Sequence, residues 1–459
     1  MEEKTITSLV TLPINQNIAL IRISGPKTYY ITEKIFLGKL PSYPQKESKL
    51  ILGNIVDKKR NKIIDQVLLL CFYRPFSFTG EDVVEISCHG NLFIVNEILK
   101  IIIENGADLA REGEFTKQAF FNGKLNIIQA EAVNDLIKAP NLNSTRLALH
   151  NLNIRAQKEL ENIEKYFLEI VANIEVNINF PEYDGVEYLT NEIILPRLRK
   201  LKRKINIIKN EGKKSIIFQK GLKISIIGKP NVGKSTLLNS LVSEEKAIIS
   251  SIPGTTRDVI EVKHSINSIP VTFLDTAGIH ETSDILEKAG IKKSYSVLES
   301  SEMVFFVVDN SEIWEKKDET IINLILKKKK RFLLIINKID KPNKLVIPSL
   351  IKSDFVVKIS AKKKRISELQ KKMKEIFTNE LSEEFPSYPF LSKSWQQAKL
   401  LVLLKLISEI IIKSSGNKIF VDALCSDLKL CYNLVRELQG KEYEEKLIDV
   451  IFRKFCLGK

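Results

Sequence analysis

Between Thr5 and about Phe115, short apolar runs such as Ile18 to Ile23 and Val67 to Phe72 are separated by Gly, Pro and Asn turns. Runs of that length between turn residues predict strands, and Val95 to Glu104, stopped at Gly106, predicts a helix. A small α/β domain is therefore expected over residues 1–118. Beyond Phe120 the period changes. Ala156, Leu160, Ile163, Phe167, Ile170, Ile174 and Ile178 keep the spacing of one helical face, in a helix that must end at Phe180-Pro181. A second helix carries Ile194, Leu198, Leu201, Ile205 and Ile208 on one face, and Gly212 stands where a left-handed C-cap would end it.

From Leu222 to about Phe377, compact apolar strands alternate with helical segments, which predicts a mostly parallel sheet with helices on both faces. After Pro386 the helical spacing returns, in Trp395 to Lys413 and at Leu424, Leu428, Cys431, Val435 and Leu438. Helices with long apolar stripes need partners. Residues 119–215 and 381–459 are accordingly expected to be two halves of one helical domain, with an α/β domain, 216–380, inserted between them. The fold class is multi-domain, α/β and α.

The 459 residues exceed what one hydrophobic core serves. With 44% hydrophobic and 28% charged residues the composition is ordinary, and no apolar run approaches the roughly eighteen residues of a bilayer span. Met1 to Val10 carries neither an export nor an import pattern, so a cytoplasmic location is expected, without a membrane. Cys71, Cys88, Cys425, Cys431 and Cys456 fall singly, against a disulfide framework or a zinc site. The net charge of +15 would draw a polyanion such as tRNA or ribosomal RNA, although the excess is mostly Lys in an Ile- and Asn-rich chain and is equally what compositional drift gives. Lys327 to Lys330 reads as a solvated helix end.

The strand Lys223 to Ile227 runs into Gly228-Lys229-Pro230-Asn231-Val232-Gly233-Lys234-Ser235, the GxxxxGK[ST] phosphate loop in its strand-loop-helix setting. Its glycines let backbone N–H groups converge on phosphates at a helix N-terminus. Lys234 supplies charge to the outer phosphates and Ser235 a hydroxyl to Mg2+. Thr256, within Gly254-Thr255-Thr256-Arg257-Asp258, is placed to complete the Mg2+ shell and sense the γ-phosphate. The strand Val271 to Leu274 delivers Asp275-Thr276-Ala277-Gly278, where Asp275 can hold the metal through water. The strand Phe332 to Ile336 ends in Asn337-Lys338-Ile339-Asp340, and Ser360-Ala361-Lys362 follows the strand Phe355 to Ile359. Asp340 selects guanine, because a carboxylate accepts from both the ring N–H and the exocyclic amine, a pair adenine lacks. Expected GTP contacts are Asn231, Val232, Gly233, Lys234, Ser235 and Thr236, then Ser250, Ser251, Ile252, Pro253, Gly254, Thr255 and Thr256. Asp275, Thr276, Ala277, Gly278, Asn337, Lys338, Asp340, Ser360 and Ala361 complete the set.

The residues after Gly278 are Ile279 and His280, so the water-positioning Gln of Ras-like proteins is absent. Arg257 is a local choice for neutralising transition-state charge. Asn231 points to a second route, since an amide oxygen in the loop can ligate a monovalent cation lying between the phosphates.

Outside the phosphate loop, Phe78-Thr79-Gly80-Glu81-Asp82-Val83, His89-Gly90, Gly113-Glu114-Phe115-Thr116, Asn122 with Lys124-Leu125, Gln129-Ala130-Glu131-Ala132 and the final Cys456-Leu457-Gly458-Lys459 occur in order around the insert. In these motifs the chain resembles the MnmE (TrmE) tRNA modification GTPases over essentially its whole length. The resemblance implies a homodimer whose amino-terminal domain is similar to folate-binding aminomethyl-transfer domains and holds a tetrahydrofolate derivative. Arg22, Glu81, Lys124 and Lys459 match that family's folate contacts. It also implies a flavin protein partner, MnmG, which carries FAD, and placement of a carboxymethylaminomethyl-type group on carbon 5 of the wobble uridine of tRNA. Asn231, Ser250, Ile252 and Thr255 match K+ ligands, and Glu287 matches the group that positions water. The ending singles out Cys456, whose Arg453, Lys454 and Lys459 neighbours would favour a reactive thiolate.

Two segments depart from the family pattern. Pro13 leads into Ile14-Asn15-Gln16-Asn17 in place of a Gly-rich turn, and Gln439-Gly440-Lys441 replaces Thr-Gly-Glu. The same G domain and charge would also serve a GTP-dependent switch in ribosome assembly, but the flanks contain no GXXG loop of a KH-type module.

Overall fold

The computed structural model describes residues 4–43, 47–179, 191–243, 260–266, 269–275, 298–299, 301–348, 351, 355–378, 388–414, 421–442, 451–452, 455 and 458. The amino-terminal elements are β1 (Ile6–Leu9), β2 (Ile18–Ser24), α1 (Thr28–Ile35), β3 (Phe36–Leu37), β4 (Lys49–Asp57), β5 (Lys62–Phe72), β6 (Val83–His89), α2 (Leu92–Glu104) and β7 (Asp108–Leu109). Their strands form a seven-stranded sheet in the order β3-β4-β5-β6-β2-β1-β7, antiparallel except where β1 meets β7. Period-2 alternation decides its faces. Ile21, Ile23, Val67, Leu69, Val84 and Ile86 are buried beneath α1 and α2, whereas Leu50, Leu52 and Leu68 on the other face are exposed.

The helical elements are α3 (Glu114–Phe121), α4 (Ile127–Ile137), α5 (Leu142–Leu152), α6 (Ile154–Asn179) and α7 (Asn191–Lys220). The inserted unit follows as β8 (Leu222–Ile227), α8 (Lys234–Ser243), β9 (Ile260–Ile266), β10 (Ile269–Asp275), β11 (Met303–Asp309), α9 (Lys316–Lys327), β12 (Arg331–Asn337), β13 (Val356–Lys358) and α10 (Ser367–Thr378). Then come α11 (Ser394–Ser414) and α12 (Val421–Gln439). The second sheet runs β13-β12-β11-β8-β10-β9 and is parallel except for β9. β11 is buried along its whole length, as a central strand covered on both faces must be.

One core unites segments far apart in sequence. Leu160, Ile163, Phe167, Ile170 and Ile174 of α6 and the apolar stripe of α7 share it with Leu400, Leu403 and Ile407 of α11 and with Leu424, Leu428, Cys431, Val435 and Leu438 of α12. Phe452 and Phe455 close it against Phe120. Among the described residues, no helix is long and apolar enough to cross a membrane.

Two expectations are corrected. Ile178 is exposed, so the stripe of α6 is buried only as far as Ile174. Gly212 does not end α7; the helix continues to Lys220, and the left-handed residue that stops it is Gly221, at φ +80°. Gly212 is instead a point of close approach, since a Cβ there would lie 2.4 Å from the Leu391 carbonyl oxygen. Phe180-Pro181 lie outside the described residues.

Candidate functional site

The phosphate loop leaves the buried end of β8, and two left-handed residues, Asn231 at φ +62° and Gly233 at φ +96°, fold its backbone back before α8 begins at Lys234. A side chain at Gly233 would meet the Asn337 amide at 2.3 Å, so only glycine serves there. Lys234 Nζ donates to the carbonyls of Gly228 and Lys229 at 2.9 and 2.6 Å. The loop thereby keeps the ammonium beside the start of α8, where unpaired N–H groups favour an anion. Val232 is buried, and Ser235 and Thr236 are exposed.

Asn337 stitches this loop to the rest of the site. Its Nδ2 donates to the Val232 carbonyl at 2.8 Å and its Oδ1 accepts from the Ala361 amide at 3.0 Å. Lys338, at φ +63°, donates from Nζ to the Asn231 carbonyl at 2.7 Å and pairs with Asp309 at 2.6 Å. Burial works to raise the Asp309 pKa, but the Lys338 ammonium and the Ser311 hydroxyl and amide outweigh it and hold the carboxyl below the usual range. Asp340 presents an exposed carboxylate whose Oδ1 accepts from the Ser360 hydroxyl at 2.6 Å, and that hydrogen bond is the main cause of its lowered pKa. Phosphate-loop and base-side motifs are thus brought into one cleft.

β10 runs parallel to β8 with Asp275 opposite Ile226, which brings its backbone level with the end of the strand that leads into the phosphate loop. Ser250, Ser251, Ile252, Pro253, Gly254, Thr255, Thr256, Arg257, Thr276, Ala277, Gly278 and Glu287 lie outside the described residues.

Sequence reasoning missed two partners of this cleft. Asp309 was legible only as the last residue of an apolar run. Lys229, inside the loop, meets Asp318 at 3.0 Å, Glu315 at 3.3 Å and Glu312 at 3.7 Å around the start of α9. Burial opposes its charge, yet Asp318 and Glu315 hold its pKa above the ordinary value. Nothing in the spacing announces contacts across more than eighty residues.

The amino-terminal cluster also comes together. Arg22 is buried, donating from Nε and Nη2 to Glu85 Oε1 at 2.8 and 2.6 Å and from Nη1 to the Gly458 carbonyl at 3.2 Å, with Phe78 and Phe115 rings against its guanidinium. Glu81 accepts from Ser24 Oγ at 2.7 Å, and Lys124 donates to the Pro75 carbonyl at 3.0 Å. The loop from Pro75 to Asp82 therefore gathers Arg22, Glu81 and Lys124. Glu85 was not foreseen. Cys456 and Lys459 lie outside the described residues. Desolvation pushes the buried thiols Cys71 and Cys88 up to about 11 and Cys431 to about 12, so those three are poor nucleophiles.

The pattern described as "GTP-binding protein TrmE N-terminus" matches residues 5–124, and that of the "MnmE helical domain" matches 127–456. The chain belongs to the MnmE family of tRNA modification GTPases. Among its relatives, "tRNA modification GTPase MnmE" of Lactiplantibacillus plantarum is 35% identical over 100% of this chain and 99% of its own. The protein of that name from Bacillus cytotoxicus is 36% identical, with 100% of both chains covered. A solved structure of Era in complex with MgGDPNP and 16S ribosomal RNA nucleotides matches 40% of this chain and 66% of its own at 32% identity, with a TM-score of 0.26.

Both departures from the MnmE pattern are accommodated within the chain. Gln16 N–H donates to Gly90, Gly90 N–H donates to Asn17, and the Asn15 side chain accepts from Leu92 N–H at the start of α2. The segment after Pro13 is thus tied to the His89-Gly90 motif. Lys441 forms an ion pair with Glu164, to which Gln439 also donates, so the reversed charge has its counter-ion.

Proposed function

We propose that this chain binds and hydrolyses GTP, and that hydrolysis drives a conformational step in modification of the tRNA wobble uridine. The observation that carries the nucleotide half is the double link of Asn337, which holds the phosphate loop and the base-side loop in one register. In this reading Lys234 and the backbone amides of α8 hold the outer phosphates, and Asp340 accepts from guanine. Ser235 and Asp275 suit Mg2+: the Ser235 hydroxyl is exposed at the head of α8, and β10 brings the Asp275 backbone level with the end of β8. The metal would neutralise phosphate charge. A K+ ion held by Asn231, Ser250, Ile252 and Thr255 would supply the positive charge that an arginine gives in other GTPases, and Glu287 would orient water.

For the modification half, family membership over the full length supports tRNA as substrate. The finer reading is a carboxymethylaminomethyl group added to carbon 5 with an FAD-carrying MnmG-type partner. A tetrahydrofolate derivative, the one-carbon donor, fits Glu81 and the exposed Lys124, while the Arg22 charge is already met by Glu85. Residues 1–118 would hold it and pair two copies. The sheet face carrying Leu50 and Leu52, 66% and 63% exposed, supports such a homodimer, because an uncovered apolar face of a sheet favours burial. Residues 119–215 and 381–459 would be the helical body and 216–380 the GTPase.

GTP turnover should rise when Na+ is exchanged for K+, and Glu287→Ala should slow turnover with nucleotide affinity intact. Equal rates in the two salts would remove the K+ assignment. Nucleosides from cells lacking the protein should show loss of the modified wobble uridine; an unchanged profile would refute the tRNA half.

A further inference from the structure

The long helix α7 segregates its charge. Ile194, Leu198, Leu201, Ile205 and Ile208 are buried in the helical core, and Arg199, Lys200, Arg203 and Lys213 are exposed. Between Pro196 and Asn210 every charged residue is Lys or Arg, and Glu211, which follows, is paired with Lys214 at 2.9 Å. The adjoining α6, joined to α7 through the Lys204–Glu159 ion pair, has the opposite bias: Glu159, Glu161, Glu164, Glu169 and Glu175 against Arg155, Lys158 and Lys165. A uniform drift toward Lys would have moved both helices in the same direction. It did not. The positive excess is therefore carried by α7 and not by its neighbour.

At about 100° per residue, Arg199, Arg203 and Lys213 fall on one side of α7, opposite the apolar stripe, and at about 1.5 Å rise per residue they span roughly 21 Å. Cations at the two ends of a rigid face of that length, with Asn206 and Asn210 between them, can meet phosphates of one nucleic-acid backbone, where each contact releases condensed counterions. An amphipathic helix that used this face only for solubility would be expected to mix signs, as α6 does.

We propose that the exposed face of α7 is the surface on which the RNA phosphate backbone docks, with tRNA as its occupant. This rests on the reading of the chain as a tRNA-modifying protein and adds where the RNA lies. The placement has a mechanical consequence. Gly221 alone separates α7 from β8, the strand that leads into the phosphate loop. RNA held on α7 thus shares a continuous backbone with the nucleotide site.

The test uses the full-length protein and an unmodified tRNA transcript, with affinity read by fluorescence anisotropy over a series of salt concentrations. The variant Arg199→Gln/Arg203→Gln/Lys213→Gln changes only exposed side chains, so its fold and its GTP turnover without RNA should match the parent. Its Kd for tRNA should rise about tenfold or more, and the slope of log K against log salt should fall by roughly 3. A control, Lys58→Gln/Lys371→Gln/Lys405→Gln, removes equal charge at exposed positions elsewhere and should leave the slope nearly unchanged. If the α7 variant binds tRNA like the parent, or if both variants lose affinity equally, the surface is refuted while the tRNA reading stands. If the parent itself fails to bind tRNA, both fall.

Discussion

The Asn337 side chain donates to the Val232 carbonyl at 2.8 Å while accepting from the Ala361 amide at 3.0 Å, so one buried amide joins the phosphate loop to the loop beside the base. Asn337→Ala would leave both partners unsatisfied in a buried place, at about 1–3 kcal/mol each. GTP affinity should fall by at least about tenfold and the chemical-denaturation midpoint should drop. Retention of both would show that the cleft does not depend on this link.

Asp340 is held below the usual carboxylate range by the Ser360 hydroxyl. With its pKa lowered, the carboxylate stays charged through its ordinary titration range and loses that charge only as the pH falls to the depressed value. Guanine recognition should therefore persist into mildly acidic solution. Ser360→Ala should move the acid limb of GTP binding to higher pH, and titrations that superimpose for parent and variant would contradict this. Asp340→Asn should weaken GTP binding by roughly tenfold or more at neutral pH.

Lys229 bridges the phosphate loop to Asp318 and Glu315. Lys229→Met would leave the buried Asp318 carboxylate without its cation, costing about 1–3 kcal/mol. Calorimetry should show a lower Tm and steady-state kinetics a raised KM for GTP. Lys229→Arg should recover most of both. A raised KM with no recovery by Arg would mean that the charge is not what matters.

Gly212 offers a test of sign. Inside an ordinary helix, Gly→Ala stabilises by up to about 1 kcal/mol. Here the new methyl would meet the Leu391 carbonyl oxygen at 2.4 Å and the Gln397 amide at 2.6 Å. Gly212→Ala should destabilise by about 1–3 kcal/mol instead, as judged by urea denaturation. A more stable variant would show that α7 and α11 can part at no cost.

Gly440 sits at φ +73° with Ile127 at 2.8 Å from any added Cβ. Gly440→Ala combines a left-handed strain of about 1–2 kcal/mol with crowding of α4, and should lower Tm. Lys441→Glu would place a like charge beside Glu164, whose side chain is only 14% exposed, and should lower Tm as well.

Much of this molecule is legible in its sequence. Apolar spacing marked α6, α7, α11 and α12, because a helix must turn one stripe toward its core whatever the partner is. The phosphate loop, Asn337-Lys338-Ile339-Asp340 and Ser360-Ala361 were legible because their chemistry is local: each needs particular residue types at fixed short spacing. Tertiary structure alone decided which of these segments meet. It revealed that Lys338 neutralises Asp309, that Lys229 is gripped by α9, that Arg22 is spoken for by Glu85, and that Gly212 yields room to Leu391 rather than ending a helix. Such pairings depend on chain closure over tens to hundreds of residues, and a glycine's role depends on what stands opposite its missing side chain. Neither quantity is encoded in a window of sequence, since both are properties of the packed chain.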